Sequence, residues 1–184
     1  MFKDFDISSL KKMKPPGDNT FDTMQEIKAL KKIPIRKAFV KEFVKKFDDQ
    51  EKAFKQTAKR EGIKDYDSSI AGKLIEKSAP VIMKLKKHFN RPRPKVLAKK
   101  MNIKMKDIEM ASMKTPSYPS GHSTQGVLIG LVLSKKYPRS RKGFMQTAIN
   151  ISDSRNVAHA HYKSDSEFGK KLGKLMYNHI KNKI

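Results

Sequence analysis

The chain has 184 residues, which is enough for one domain with a hydrophobic core. It contains no cysteine, which excludes a disulfide framework, a thiolate metal site and a cysteine nucleophile. Its formal net charge is +24. Such a charge attracts nucleic acid, anionic membrane surfaces or phosphorylated small molecules, and by itself does not choose among them.

The N-terminus has no basic segment followed by an apolar run, so we find no secretory signal there. The longest apolar run, residues 127–133, is much shorter than the roughly 20 residues that a bilayer span needs. The sequence therefore predicts a soluble, cytoplasmic protein without a transmembrane segment.

The first half of the chain begins with an irregular arm, residues 1–20, followed by one domain, residues 21–184. Thr23 and Glu26 have the spacing of a capping box at the start of a helix. Phenylalanines at helical spacing between Pro34 and Gly62 then predict one further helix, which the glycine ends.

The second half also has the pattern of helices throughout. Residues 67–69 cap a helix that must end at the Arg-Pro-Arg-Pro string of residues 91–94. At most a short helix follows in residues 95–118, and longer helices are predicted at about 121–136, 140–158 and 164–182. No stretch alternates with period two, so we expect an all-α, single-domain helical bundle.

A first candidate site motif combines Lys86 with Arg93. The lysine lies on the last turns of a predicted helix, and the arginine lies on the stiff segment that the prolines impose. Two cations on two rigid supports can converge on one anion. Taken alone, the pattern fits a solvated basic surface better.

A second motif, Ser120-Gly121-His122, immediately precedes the most apolar helix. The serine is a natural N-cap, and the glycine lets an anion approach the backbone closely. Free N–H groups at a helix start bind phosphate, and a histidine beside them can protonate a leaving oxygen. The alternative is an ordinary cap with an incidental histidine.

A third motif places Arg155, His161 and Asp165 at a junction between two helices. Ser164 and Glu167 suggest a capping box, so the second helix is expected to begin at Ser164. The carboxylate can then orient one nitrogen of the imidazole and leave the other free to attack, while the arginine grips phosphate oxygens. A buried histidine at a helix end beside a surface arginine is equally compatible.

Together, Lys86-x6-Arg93-Pro94, Pro119-Ser120-Gly121-His122 and Ser154-Arg155-x5-His161-x3-Asp165 resemble the motifs of the type 2 phosphatidic acid phosphatase superfamily. That superfamily includes soluble acid phosphatases, membrane lipid phosphatases and vanadium haloperoxidases. The resemblance covers residues 86–165 and implies an all-α core with a metal-independent phosphatase site that needs no cofactor.

The resemblance also implies a role for each matched residue. His161 becomes a phosphohistidine, Asp165 orients it, and His122 protonates the leaving group and then activates water. The phosphate-binding residues that it implies are Lys86, Arg93, Ser120, Gly121 and Arg155.

Two positions depart from the pattern or leave it open. His159 stands where relatives often have a small residue, so it either lines the site or has a packing or surface role, and we favour the second interpretation. A second register, Lys84-x6-Arg91-Pro92, also fits the first motif, and we prefer Lys86 with Arg93.

The sequence thus predicts a phosphatase that hydrolyses phosphate monoesters, whether phosphorylated small molecules or lipid phosphates. Peripheral contact with an anionic membrane or nucleic acid would fit the charge, and the oligomeric state is not predicted. The alternatives are a vanadate-dependent haloperoxidase and a catalytically inactive, basic nucleic-acid-binding protein.

Overall fold

The computed structural model describes residues 1–184 and contains only helices as regular structure, which confirms the all-α class. The eight α-helices are α1 (Phe21–Lys31), α2 (Ala38–Asp48), α3 (Gln50–Arg60), α4 (Ser69–Phe89), α5 (Pro94–Lys100), α6 (Gly121–Lys136), α7 (Arg141–Val157) and α8 (Lys163–Ile180). Three short 3-10 turns accompany them at Leu10–Lys12, Ala111–Lys114 and Pro138–Ser140.

Helix α6 forms the centre of the bundle and packs mainly against α7 and α8. Its residues 123–130 are all buried, and the three polar side chains among them, Ser123, Thr124 and Gln125, are hydrogen-bonded. Gly169 lets α8 come close to the start of α6, because a Cβ there would lie 2.7 Å from Ser120 O. Ser120 N also donates to Asp165 O at 3.1 Å, which ties the two helix starts together.

The single helix predicted between Pro34 and Gly62 is wrong, since the chain breaks at Asp49. This residue has an extended backbone, and its carboxylate accepts a hydrogen bond of 3.0 Å from Lys52 N, which caps α3. The phenylalanine pattern is a core pattern only in part, because Phe47 and Phe54 are buried whereas Phe39 is 63% exposed. The break leaves Asp48 at the last position of α2.

Both predicted capping boxes are also wrong. Helix α1 begins at Phe21 after Thr20, and α8 begins at Lys163 after Tyr162. At α8 the carboxylate of Asp165 accepts a hydrogen bond of 3.1 Å from Tyr162 N. Asp165 thus takes the place in the cap that the sequence assigned to Glu167.

The arm of residues 1–20 packs on the bundle although it has little regular structure. Phe2 and Leu10 are buried in the main core, and Tyr118 Oη donates to Met13 O at 2.8 Å. No helix of the structure is both long enough and apolar enough to cross a membrane.

Candidate active site

The three predicted motifs meet at one end of the bundle. The last turn of α4 with the segment that follows it, the start of α6, and the junction between α7 and α8 supply the side chains. All eight residues that the motifs predict lie on these parts of the chain.

His161 and Asp165 form the centre of the cluster. The imidazole Nδ1 lies 3.2 Å from Asp165 Oδ2, and both residues are buried. The same oxygen accepts hydrogen bonds from Ser117 Oγ and from Tyr162 N. Because a carboxylate only accepts, Nδ1 carries the proton and Nε2 presents its lone pair.

The electrostatic surroundings keep His161 neutral. Burial lowers its pKa well below the usual value, and the positive charges of Arg93, Lys86 and Arg155 lower it further. A neutral imidazole with a fixed tautomer is the form in which a histidine acts as a nucleophile.

Arg93 is the cation nearest to His161 Nε2. Its Nη1 donates to His161 Nε2 at 2.9 Å and to Ala160 O at 2.8 Å. Its Nε donates to Thr115 O at 2.9 Å. These backbone acceptors fix the guanidinium beside the point where an attacked phosphoryl group would lie.

Lys86 reaches the same space from the last turn of α4. The residue is 4% exposed, and its ammonium donates to Pro116 O. Burial lowers its pKa to about 7, and the charges of Arg93 and Arg155 act in the same direction. Gly121 lies alongside, since a Cβ at that position would be 4.0 Å from Lys86 Cε.

The start of α6 has the predicted N-cap. Ser120 Oγ accepts a hydrogen bond of 3.3 Å from Ser123 N, and Ser120 is fully buried. The amides of Gly121 and His122 belong to the first turn and have no intrahelical acceptor. They are therefore free to bind an anion.

Arg155 and His122 face each other across Asp48, which the sequence reasoning missed. Arg155 Nη1 donates to Asp48 Oδ1 at 2.6 Å, and His122 Nε2 donates to Asp48 O at 3.0 Å. Arg155 Nε is buried without an acceptor. Burial and the charge of Arg155 lower the pKa of His122 to about 4, so it is neutral near pH 7 without a bound anion.

Arg91 is the arginine of the alternative motif Lys84-x6-Arg91-Pro92, and its position differs from that of Arg93. It is 2% exposed and donates to Asp165 Oδ1 at 2.7 Å and to Glu26 Oε2 at 3.0 Å. Its guanidinium also stacks on the ring of Tyr162, 3.8 Å from the centroid. Since it contacts Asp165 from the side away from His161, its position is that of a support for the carboxylate.

The lysines of the two registers also differ, because Lys84 is exposed while Lys86 is buried in the cluster. This favours the register of Lys86 with Arg93. His159 is not part of the cluster: its Nδ1 lies 2.6 Å from Lys106 O, on another side of the junction.

The fit of the cluster to an anion is better than its fit to a cation. No group of three or more His, Asp or Glu side chains has the arrangement of a metal site. The cluster instead brings together three buried cations, the start of a helix and a guanidinium N–H without a partner. Phosphate binds to donors of these kinds.

Comparisons with known proteins agree with this geometry. The sequence model of the PAP2 superfamily matches residues 71–182. The chain is 34% identical over 92 residues to a non-specific acid phosphatase of Salmonella typhimurium and 33% identical over 92 residues to one of Salmonella typhi. Each match covers 50% of this chain and 36% of the relative, so the chain spans only about a third of those proteins.

A structural comparison extends over the whole chain. The crystal structure of a transmembrane PAP2 type phosphatidylglycerolphosphate phosphatase from Bacillus subtilis superimposes with a TM-score of 0.64 and 17% identity. It covers 99% of this chain and 96% of that one, which shows a shared fold. Because the family match includes all three motifs and more than half of the residues, the chain belongs to the PAP2 superfamily.

Proposed function

We propose that this protein is a phosphatase that hydrolyses phosphate monoesters through a phosphohistidine, without a metal ion. The observation that carries the proposal is the state of His161. Its imidazole is neutral and buried, Asp165 holds Nδ1, and Nε2 faces a cluster of cations.

In the first step, His161 Nε2 attacks the phosphorus and the bond to the ester oxygen breaks. The guanidiniums of Arg93 and Arg155, the Lys86 ammonium and the free amides of α6 stabilise the negative charge on the phosphoryl oxygens. The imidazole becomes positively charged as the P–N bond forms, and the carboxylate of Asp165 stabilises that charge.

His122 is the proposed donor of a proton to the leaving oxygen. Its pKa is low because of burial and the nearby cations. A bound phosphate neutralises those cations, so binding of the substrate favours the protonated form. The leaving alcohol departs with the proton, and His122 is then neutral.

In the second step, neutral His122 takes a proton from water, and the water oxygen attacks the phosphorus. The P–N bond breaks, His161 returns to its neutral form, and inorganic phosphate leaves. As the phosphate leaves, His122 releases the proton that it took from water to the solvent, so both histidines are again neutral, as in the free protein.

The substrate class is a phosphorylated small molecule or a lipid phosphate. The acid phosphatases of Salmonella support the first, and the phosphatidylglycerolphosphate phosphatase of Bacillus subtilis supports the second. We keep the common chemistry, a phosphate monoester, as the proposal.

Hydrolysis of an aryl phosphate in excess chelator tests this proposal. We expect turnover by the wild-type protein and none by His161→Ala, with His88→Ala as the matched control, since His88 is an exposed histidine outside the cluster. Turnover that stops in chelator and returns with a divalent ion would exclude the metal-independent mechanism.

A further inference from the structure

A second cationic site lies outside the cluster described above. It is an open groove of about 800 Å³ beside the connection between α1 and α2. None of the residues that line it is acidic. Its cationic side chains are Lys31, Arg36, Lys37, Lys104 and Lys106.

His159 also lines this groove, in a backbone conformation that its side chain disfavours. Its φ is +58°, in the left-handed region where a Cβ crowds the following carbonyl and glycine has no such cost. The chain keeps a histidine here, and backbone strain of this kind is often retained at positions with a function.

The ring of His159 has one nitrogen satisfied and one without a partner. Nδ1 donates to Lys106 O at 2.6 Å, whereas Nε2 is buried and makes no hydrogen bond. The residue is only 3% exposed, so water from the open surface does not satisfy this nitrogen freely. An unpartnered buried polar atom is destabilising, and packing therefore does not explain the residue.

The proton on Nδ1 leaves a lone pair on Nε2, which can only accept a hydrogen bond. A phosphate oxygen that carries a proton can donate to it, so this ring suits a partly protonated phosphate group. Lys37 adds a second feature: it lines the groove and is the N-cap of α2, and a lysine side chain has no acceptor for the first amides of that helix. The N-terminus of α2 thus begins beside the groove without a side-chain cap.

We propose that this groove is a second binding site, for the phosphate groups of a multiply charged phosphorylated ligand, with His159 Nε2 as the acceptor for a protonated phosphate oxygen at its base. The lysine side chains at its rim are long and flexible, so they can adapt to more than one phosphate group. Ile33, Ile35 and Met105 line the same groove and would contact the non-phosphate part of the ligand.

The site is separate from the proposed catalytic centre although His159 is two residues from His161. His159 hydrogen-bonds to the backbone of Lys106, whereas His161 contacts Arg93 and Asp165. Loss of ligand binding in the groove therefore leaves hydrolysis of a small aryl phosphate unchanged.

Titration with methylenediphosphonate, which phosphatases do not hydrolyse, tests the proposal by NMR of the histidine rings. We expect the resonances of His159 to shift in a saturable step distinct from any step seen at His122 and His161. Shifts confined to His122 and His161 would overturn the proposal, because the ligand would then bind only the catalytic cluster.

Variants separate binding from packing. His159→Gly should weaken binding at the second step at least fivefold. Lys104→Gln combined with Lys106→Gln should weaken it similarly, and Lys174→Gln, an exposed lysine of α8, should not. A lower Tm with unchanged binding in His159→Gly would mean that the residue only packs.

Vesicles distinguish a lipid headgroup from a soluble phosphorylated ligand. The wild-type protein and the groove variants are sedimented with phosphatidylglycerol or phosphatidylcholine vesicles. Anionic vesicle binding that the groove variants lose assigns the site to a lipid headgroup, whereas diphosphonate binding without vesicle binding assigns it to a soluble ligand. Vesicle binding that the groove variants keep, together with the absence of a diphosphonate step at His159, would place the anion-binding surface elsewhere and overturn the proposal.

Discussion

Arg91 Nη1 donates a hydrogen bond of 2.7 Å to Asp165 Oδ1. The other oxygen of that carboxylate faces His161 Nδ1, so a buried cation holds the group that orients the proposed nucleophile. Glu26, Thr23 and Ser164 accept further hydrogen bonds from the two Nη atoms of the guanidinium.

This relationship predicts that Arg91→Leu lowers both stability and turnover. Removal of one partner of a buried ion pair costs about 3–5 kcal/mol, because the other charge stays buried without a partner. We expect the free energy of unfolding, from urea denaturation, to fall by about that amount.

Measurement of turnover distinguishes a positioning role of Arg91 from a packing role. Under conditions where Arg91→Leu is still folded, kcat should fall while KM changes little, since Arg91 does not contact the phosphate site. Arg91→Lys, which keeps the charge, should recover part of the kcat. A folded Arg91→Leu protein with wild-type kcat would show that Asp165 needs no such support.

Lys86 predicts how activity depends on pH. Its pKa is lowered to about 7, mainly by burial, so its positive charge is lost as the pH rises through that value. The kcat/KM for an aryl phosphate should therefore decrease above about pH 7.

The substitution Lys86→Arg tests that assignment. A guanidinium keeps its charge throughout this range, so the alkaline decrease should move upward by at least one pH unit. Lys84→Arg, an exposed lysine of the same helix, should leave the profile unchanged. An alkaline decrease at the same pH in all three proteins would assign it to another group.

Asp48 occupies the acceptor position that a substrate phosphate would take at Arg155. Its side chain is 42% exposed, and an ion pair of this kind contributes roughly 0.5–1 kcal/mol. Asp48→Asn should therefore strengthen binding of vanadate about two- to fivefold, because a competing charge is removed.

Asp49→Asn is the matched control for this effect. Asp49 caps α3 and does not contact Arg155, so vanadate inhibition should not change in that variant. Weaker vanadate binding in Asp48→Asn would show instead that the carboxylate positions Arg155 for the anion.

His122 predicts a dependence on the leaving group. A positioned general acid contributes roughly 10²–10⁴-fold to the rate, and most where the leaving oxygen is basic. His122→Ala should therefore lower kcat for alkyl phosphates much more than for nitrophenyl phosphate. Equal losses for both substrates would exclude proton donation by His122.

The motif residues of this site could be predicted from the sequence because their side chains come from short segments with fixed local geometry. Ser120 is an N-cap, Arg93 is on a proline-stiffened segment, and Asp165 is four residues after His161. Local backbone geometry brings together the residues within each segment. The expectation that the three segments meet came from the resemblance to the superfamily.

The support around Arg91 could not be predicted, since its members are far apart in sequence. Glu26 and Ser164 both looked like parts of helix caps, because a serine or glutamate at a helix start has the same local pattern whatever its partner. In the structure their side chains bond to a distant arginine.

Asp48 was missed for a related reason. The sequence has a helical pattern across residues 38–60, and the break at Asp49 depends on one capping hydrogen bond to Lys52 N. Without that break, nothing in the sequence distinguishes Asp48 from the other charged residues of a helix.

Identification of the phosphorylated residue tests the central claim most directly. The protein is mixed with a labelled aryl phosphate, quenched rapidly, and digested for mass spectrometry under alkaline conditions that preserve phosphohistidine. The mechanism predicts the label on His161 and its absence in His161→Ala. A label on any other residue, or turnover without a phosphorylated intermediate in the wild-type protein while His161→Ala stays active, would contradict it.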